Sequence, residues 1–248
     1  MSFTPAEILV LLAGALLGGL ANGLTGFGTA LTAVPIWVHI MSPPMAAALG
    51  AAAGVTGQIQ SMHLVWHAVE WRRVAPFILA GLAGVPIGTW ALPLVDVRSF
   101  KLGVGVVLIA YCAFQLCAER LARCGITAAG GRTADALIGL GGGIMSGLAG
   151  LSGPLPIMWA TLKPWTREEK RALFQTFNFT ILSATVLSSA VAGQLPPEFW
   201  SALLVSVPGT LVGVHLGKMA WRRLDDRRYD RVVIALMLAM GVTLLATS

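Results

Sequence analysis

Two glycine-rich tracts hold most of the residues in this chain that could do chemistry. The first is Gly18-Gly-Leu-Ala-Asn-Gly-Leu-Thr-Gly-Phe-Gly28. The second is Gly141-Gly-Gly-Ile-Met-Ser-Gly-Leu-Ala-Gly-Leu-Ser-Gly-Pro154. Setting Gly23 against Gly147 brings Gly19/Gly143, Leu24/Leu148, Gly26/Gly150 and Leu31/Leu155 into register at one offset, 124 (147 − 23), which is half of the 248 residues. Each tract interrupts an apolar run. A helix that stops inside a bilayer exposes backbone N–H groups, which must face protein or a wet cavity. The helix that resumes after the break presents those donors together with the positive end of its dipole, the makings of an anion site. Gly26, Gly28, Gly150 and Gly153 let backbone approach a ligand closely. Asn22, Thr25, Thr29, Ser146 and Ser152 supply polar side chains beside them. Tight helix packing, with the hydroxyls bonded back to their own helices, is the competing reading.

Few other polar groups lie in the apolar segments. Gln58, Gln60 and His63 follow the first tract, and Gln175, Thr176 and Asn178 follow the second. Gln175 and Asn178 are three apart and share a helix face. Their NH₂ groups donate, which suits an oxyanion better than a cation; gluing helices together is the alternative. His63 is the candidate for a coupled proton, set against a neutral, hydrogen-bonded histidine. Trp37 and Trp159 fall nearer the middle of the second legs, where they either close over a ligand or pack the core. The absence of a deep carboxylate argues against a Na⁺ or K⁺ carrier. No His/Cys/Asp set has metal-ligand spacing, no Ser/His/Asp arrangement is visible, and neither tract ends in the Gly-Lys-Ser/Thr of a phosphate loop. The expectation is a non-enzyme with no metal and no cofactor.

The composition says where the chain lives. It is 56% hydrophobic and only 11% charged, against roughly 25% charged in soluble domains, and its mean hydropathy is +0.78. Residues 8 to 69 contain no Asp, Glu, Lys or Arg. As helix that run is ~93 Å long, about three crossings of a ~30 Å hydrocarbon core. Thr4-Pro5-Ala-Glu7 reads as a capping box rather than as part of a cleavable signal. The net charge of +6 comes from short loops between apolar segments, a topology signal and not a nucleic-acid footprint.

These segments predict an all-α polytopic membrane protein made of two inverted-topology repeats. The first repeat covers 1–118, with a broken pair at 7–41 and spans at 45–66, 74–95 and 102–118. A basic cytoplasmic connector, 119–135, follows. The second repeat covers 136–248, with a broken pair at 136–162 and spans at 169–192, 198–217 and 231–248. Legs of some 15 residues in the first pair and 13 in the second are too short to cross alone, which favours re-entrant hairpins. With each pair leaving by the side it entered, Arg98 and Lys101 lie on one face and the other 15 of the 17 Lys and Arg residues on the opposite one, a strong positive-inside bias. Both termini then lie outside. Ten thin crossings give the same sidedness, so charge does not choose between the two.

Gly23-Leu-Thr-Gly-Phe-Gly28 with Pro35, its second copy Gly147-Leu-Ala-Gly-Leu-Ser-Gly153 with Pro156, the echo of Gly84-x-x-x-Gly88 in Gly213-x-x-x-Gly217, and Lys170-Arg171-Ala with Asn178 together resemble the TauE/SafE sulfite exporter family. The chain departs from the glycine-richer family pattern at Thr29, Ala30, Ser152 and Pro154. The resemblance implies transport of a small sulfur-containing anion such as sulfite, sulfoacetate or isethionate across the bacterial inner membrane, usually outward. An uncoupled anion channel and a carrier of small carboxylates are the alternatives. The expected partners are that anion and the lipid bilayer, with no nucleic acid and with self-association open.

Overall fold

The computed structural model describes residues 3–62, 66–123, 130–221, 235, 238–239 and 241–246. Among them every regular element is helical. The long helices are α1 (Pro5–Thr25), α3 (Pro43–Ser61), α4 (Trp71–Ala91), α5 (Val97–Arg123), α6 (Arg132–Ala149), α8 (Arg167–Val191) and α9 (Glu198–Trp221). Two short ones, α2 (Thr29–Trp37) and α7 (Pro154–Thr161), follow α1 and α6. Residues 241–246 are also helical, and Gly241 lies against Leu108 of α5. Apart from 235 and 238–239, the rest of the expected span 231–248, and His63, lie outside the described residues.

Local chemistry sets the helix starts. Glu7 N donates to Thr4 Oγ1 at 3.3 Å while Thr4 N donates to Glu7 Oε2 at 2.8 Å. Thr166 and Glu169 repeat the box at the start of α8, at 3.2 and 2.8 Å. Replacing Thr166 by alanine removes one half of that box and should cost about 1 kcal/mol. The expected readout is a lower unfolding midpoint in detergent, with Thr166→Ser close to wild type.

The breaks fall later than the glycine count suggests. The expected first leg ended near Asn22, but α1 continues to Thr25 and has 21 residues, ~31 Å of helix. α6 has 18 residues and begins at Arg132. Only the second legs are short, with 9 and 8 residues. Helices tolerate interior glycine at about 1 kcal/mol each, so Gly18, Gly19 and Gly23 do not stop α1. Each long leg stops at the first glycine with positive φ: Gly26 (φ 79) after α1 and Gly150 (φ 70) after α6. The connector is correspondingly shorter than 119–135, because α5 runs on to Arg123.

The short legs double back along the long ones. A Cβ on Gly18 would meet Ala33 Cβ at 3.2 Å, and one on Gly14 would press on the Trp37 indole. In the second pair, Gly142 faces Pro156 in the same sense.

Several helical glycines that do not break the chain form two seams. Gly84 and Gly88 of α4 press on the carbonyls of Leu140 and Ile144 in α6. Gly213 and Gly217 of α9 press on those of Leu16 and Leu20 in α1. The partners differ by the repeat offset (140 − 16 and 144 − 20, both 124). Each half thus lends its glycine-bearing span to the long leg of the other, and exchanging the halves turns one seam into the other.

Among the described residues, four helices are long and apolar enough to cross a membrane: Pro5–Thr25, Trp71–Leu94, Val97–Cys117 and Glu198–Ala220. They carry many of the exposed large apolar side chains, among them Leu9, Leu79, Trp90, Val106 and Leu204. α3 and α8 fall short on composition because α3 is rich in alanine and glycine and both carry buried polar residues. Gln58 and Ser61 of α3, and Gln175, Thr176 and Asn178 of α8, are all buried. These two helices pack on each other where Gly54 meets Leu182, and they bring their polar residues to the two breaks.

Candidate functional site

The first break is a tight turn closed by its own atoms. Gly26 N donates to Asn22 O at 2.6 Å, and Phe27 N donates to Thr25 Oγ1 at 3.1 Å. The Thr25 hydroxyl donates to Ala21 O at 2.8 Å and also contacts Phe27 O. Gly28 has φ 99, a left-handed conformation that favours glycine, and hands the chain to α2 at Thr29. The second break opens in the same way, with Gly150 N donating to Ser146 O at 2.6 Å. There the helix resumes on proline, Pro154.

The two breaks enclose one cavity of about 20 Å³, room for roughly one water molecule. Of the residues predicted to form a site, Asn22, Gly28, Thr29, Gly150, Ser152, Gly153 and Asn178 line it. Three short side-chain bonds surround it. Asn22 Nδ2 donates to Thr29 Oγ1 at 2.8 Å, Ser152 Oγ donates to Asn178 Oδ1 at 2.6 Å, and Gln58 Nε2 donates to Gly26 O at 2.8 Å. Gln58 lines the cavity as well. Its place in an uncharged run pointed to it, but the positive-φ turn that brings Gly26 O to it was not readable from residue types.

Among the described residues no charged side chain lines the cavity, so its polarity comes from dipoles. The first-turn amides of Thr29, Ala30 and Leu31 have no carbonyl in their own helix to donate to. The second break is poorer in donors, because Pro154 and Pro156 have no N–H. The two copies are therefore unequal, and α2 carries most of the amide donors.

The remaining predicted residues lie elsewhere. Gly26 shapes the turn, and a Cβ there would meet Gln175 Nε2 at 3.2 Å and Arg171 Nε at 3.7 Å. Gln175 is fully buried, and neither of its carboxamide atoms has a partner among the described residues. Arg171 thus sets a guanidinium beside the first break, a position that its residue type and its place at a helix start did not mark as part of a site. Ser146 Oγ pairs with Thr185 Oγ1 at 2.7 Å between α6 and α8. Trp37 is buried against α1 and donates to Leu11 O at 3.3 Å. Neither Trp37 nor Trp159 lines the cavity.

Trp159 instead belongs to a cluster at the far end of α7. Its Nε1 donates to Asp135 Oδ1 at 2.6 Å, and Lys163 Nζ stands 3.1 Å from the same oxygen and 5.1 Å over the indole ring. This ties the end of the short leg to the start of the long one. The Asp135 and Lys163 side chains are only 11% and 10% exposed. Asp135→Ala would leave the indole N–H without its acceptor and the Lys163 ammonium with only the Gly130 carbonyl, to which it donates at 2.8 Å, at a cost of about 2–3 kcal/mol. Thermal unfolding should show Asp135→Asn losing clearly less, since its oxygen still accepts from Trp159.

Across the whole chain, the family model described as Sulfite exporter TauE/SafE matches residues 10–244. No curated protein and no solved structure matches.

Proposed function

The chain belongs to the Sulfite exporter TauE/SafE family, and from that premise we propose that it is a secondary transporter for a small organosulfur anion, sulfite or a short sulfonate such as sulfoacetate or isethionate. The observation that carries the reading is the convergence of the α2 first-turn amides with Asn22, Ser152 and Asn178 on one buried cavity, lined by no charged residue among those described. An anion there is met by fixed donors and a helix dipole, and it neutralises groups that the bilayer interior would otherwise leave unpaired.

The two repeats have inverted topology in this reading, and each doubled-back pair is a re-entrant hairpin. The exchange relation between the glycine seams and the one-sided distribution of Lys and Arg support the inversion, and the short second legs, doubled back along the long ones, support the hairpins. Discontinuous helices whose ends meet near the midplane are a recurring design of inverted-repeat carriers. The cavity is small, about 20 Å³, and in this reading the breaks separate to admit and release the anion. The seams join α1 to α9 and α4 to α6 through backbone contacts, which makes each pair a rigid unit. Rocking of one unit against the other across α3 and α8 would open the cavity to each side in turn. Export across the inner membrane, coupled to a proton at His63, completes the proposal.

The test is flux in proteoliposomes. Sulfite or isethionate efflux should saturate and should drive counterflow of the same anion. Flux that rises linearly without counterflow would mean a channel, and flux of carboxylates alone would remove sulfur oxyanions as substrates.

A further inference from the structure

Gln58, which lines the cavity, carries a buried acceptor as well as a donor, and this narrows the anion beyond the proposed function, on which the inference rests. Gln58 is 1% exposed. Its Nε2 donates to Gly26 O at 2.8 Å. A carbonyl oxygen can only accept, so the amide's orientation is fixed by its partner and does not depend on telling nitrogen from oxygen. The other arm, Oε1, is therefore an acceptor, and it has no partner among the described residues. Asn22 is different. Its carboxamide pairs with the Thr29 hydroxyl, which can accept or donate, so it can turn to suit a ligand.

A bare oxyanion satisfies the amides of α2 but turns only lone pairs toward Gln58 Oε1. Leaving a buried acceptor without a donor loses binding free energy. We infer that the site selects a sulfur oxyanion that carries its own O–H or N–H, which Gln58 Oε1 receives while the α2 amides hold the anionic oxygens. Hydrogensulfite and short hydroxy- or amino-substituted sulfonates meet that requirement; sulfite dianion and plain alkanesulfonates do not. Gln58 is then the residue that sets specificity between otherwise similar anions.

The test compares isethionate with 1-propanesulfonate, which has a methyl group where isethionate has its hydroxyl. Binding to the purified full-length protein in detergent is read by thermal-shift titration. Wild type should bind isethionate roughly tenfold or more tightly than 1-propanesulfonate, because a site built to bond a polar group discriminates against analogues lacking it. In Gln58→Met, which keeps the side-chain length, the gap should shrink to about twofold. Equal affinities in wild type, or an undiminished gap in Gln58→Met, would overturn the inference while leaving an anion carrier in place. The wild-type pair decides the matter even when the variant does not fold. If neither sulfonate nor sulfite binds, the proposed function fails and this inference with it.

Discussion

A single methyl group at Gly143 is expected to lower the unfolding midpoint sharply, although alanine is the better helix former. A Cβ there would sit inside van der Waals contact of Gly81 O, and 2.7 and 2.9 Å from Gly81 C and Cα. All three are backbone atoms, so no rotamer change relieves the clash and α4 must move away from α6. Overpacking of this kind costs about 1–3 kcal/mol and occasionally more, against a gain in helix propensity of up to about 1 kcal/mol. The net expectation is a loss of about 2 kcal/mol. Gly19→Ala, at the equivalent place in the other seam, would press on the Thr210 carbonyl and should behave alike. A Cβ on Gly103 would meet nothing within 4 Å, so Gly103→Ala should be neutral or stabilising. Thermal unfolding of the three variants in detergent checks this; equal midpoints for Gly143→Ala and Gly103→Ala would contradict the seam.

Ala30→Pro is expected to weaken anion binding by roughly 10–100-fold, the equivalent of one hydrogen bond to a charged group. The substitution removes one α2 amide donor and keeps the Cβ. Proline is tolerated in the first turn of a helix, and this chain already begins α3 with Pro43-Pro44 and α7 with Pro154. Pro154 is the counterpart of Ala30 at the repeat offset (154 − 30 is 124), so the variant gives the first break the donor-poor form of the second. Ser146→Ala serves as the contrast. It removes a bond between α6 and α8 away from the cavity, so stability should fall and affinity for sulfite should not. Equilibrium titration with sulfite separates the two; wild-type affinity in Ala30→Pro would take the amides out of the site.

The breaks, both capping boxes and the internal duplication were readable in the sequence, because each depends on residue types at fixed spacing. The glycines that bend the chain could not be separated there from those that let helices touch. Gly19, Gly23, Gly26 and Gly28 look alike in the sequence, and of these only Gly26 and Gly28 have positive φ. Counting all of them as breaks placed the end of α1 three residues early and made the long legs look short. The lining of the cavity was legible where polarity is local. Asn22, Thr29, Ser152 and Asn178 are isolated polar residues in apolar runs, and they meet at the cavity. It was not legible where a side chain's role depends on a distant partner. Trp159 is claimed by Asp135, 24 positions away, and Gln58 by Gly26, 32 positions away.

The most direct measurement is anomalous diffraction from crystals soaked with selenite, a heavier analogue of sulfite. A selenium peak is expected between the two breaks, within hydrogen-bonding reach of the Thr29 and Ala30 amides and of the Ser152–Asn178 pair. A peak at the surface or along another path, with that cavity left unchanged, would contradict an anion site built from the broken helices.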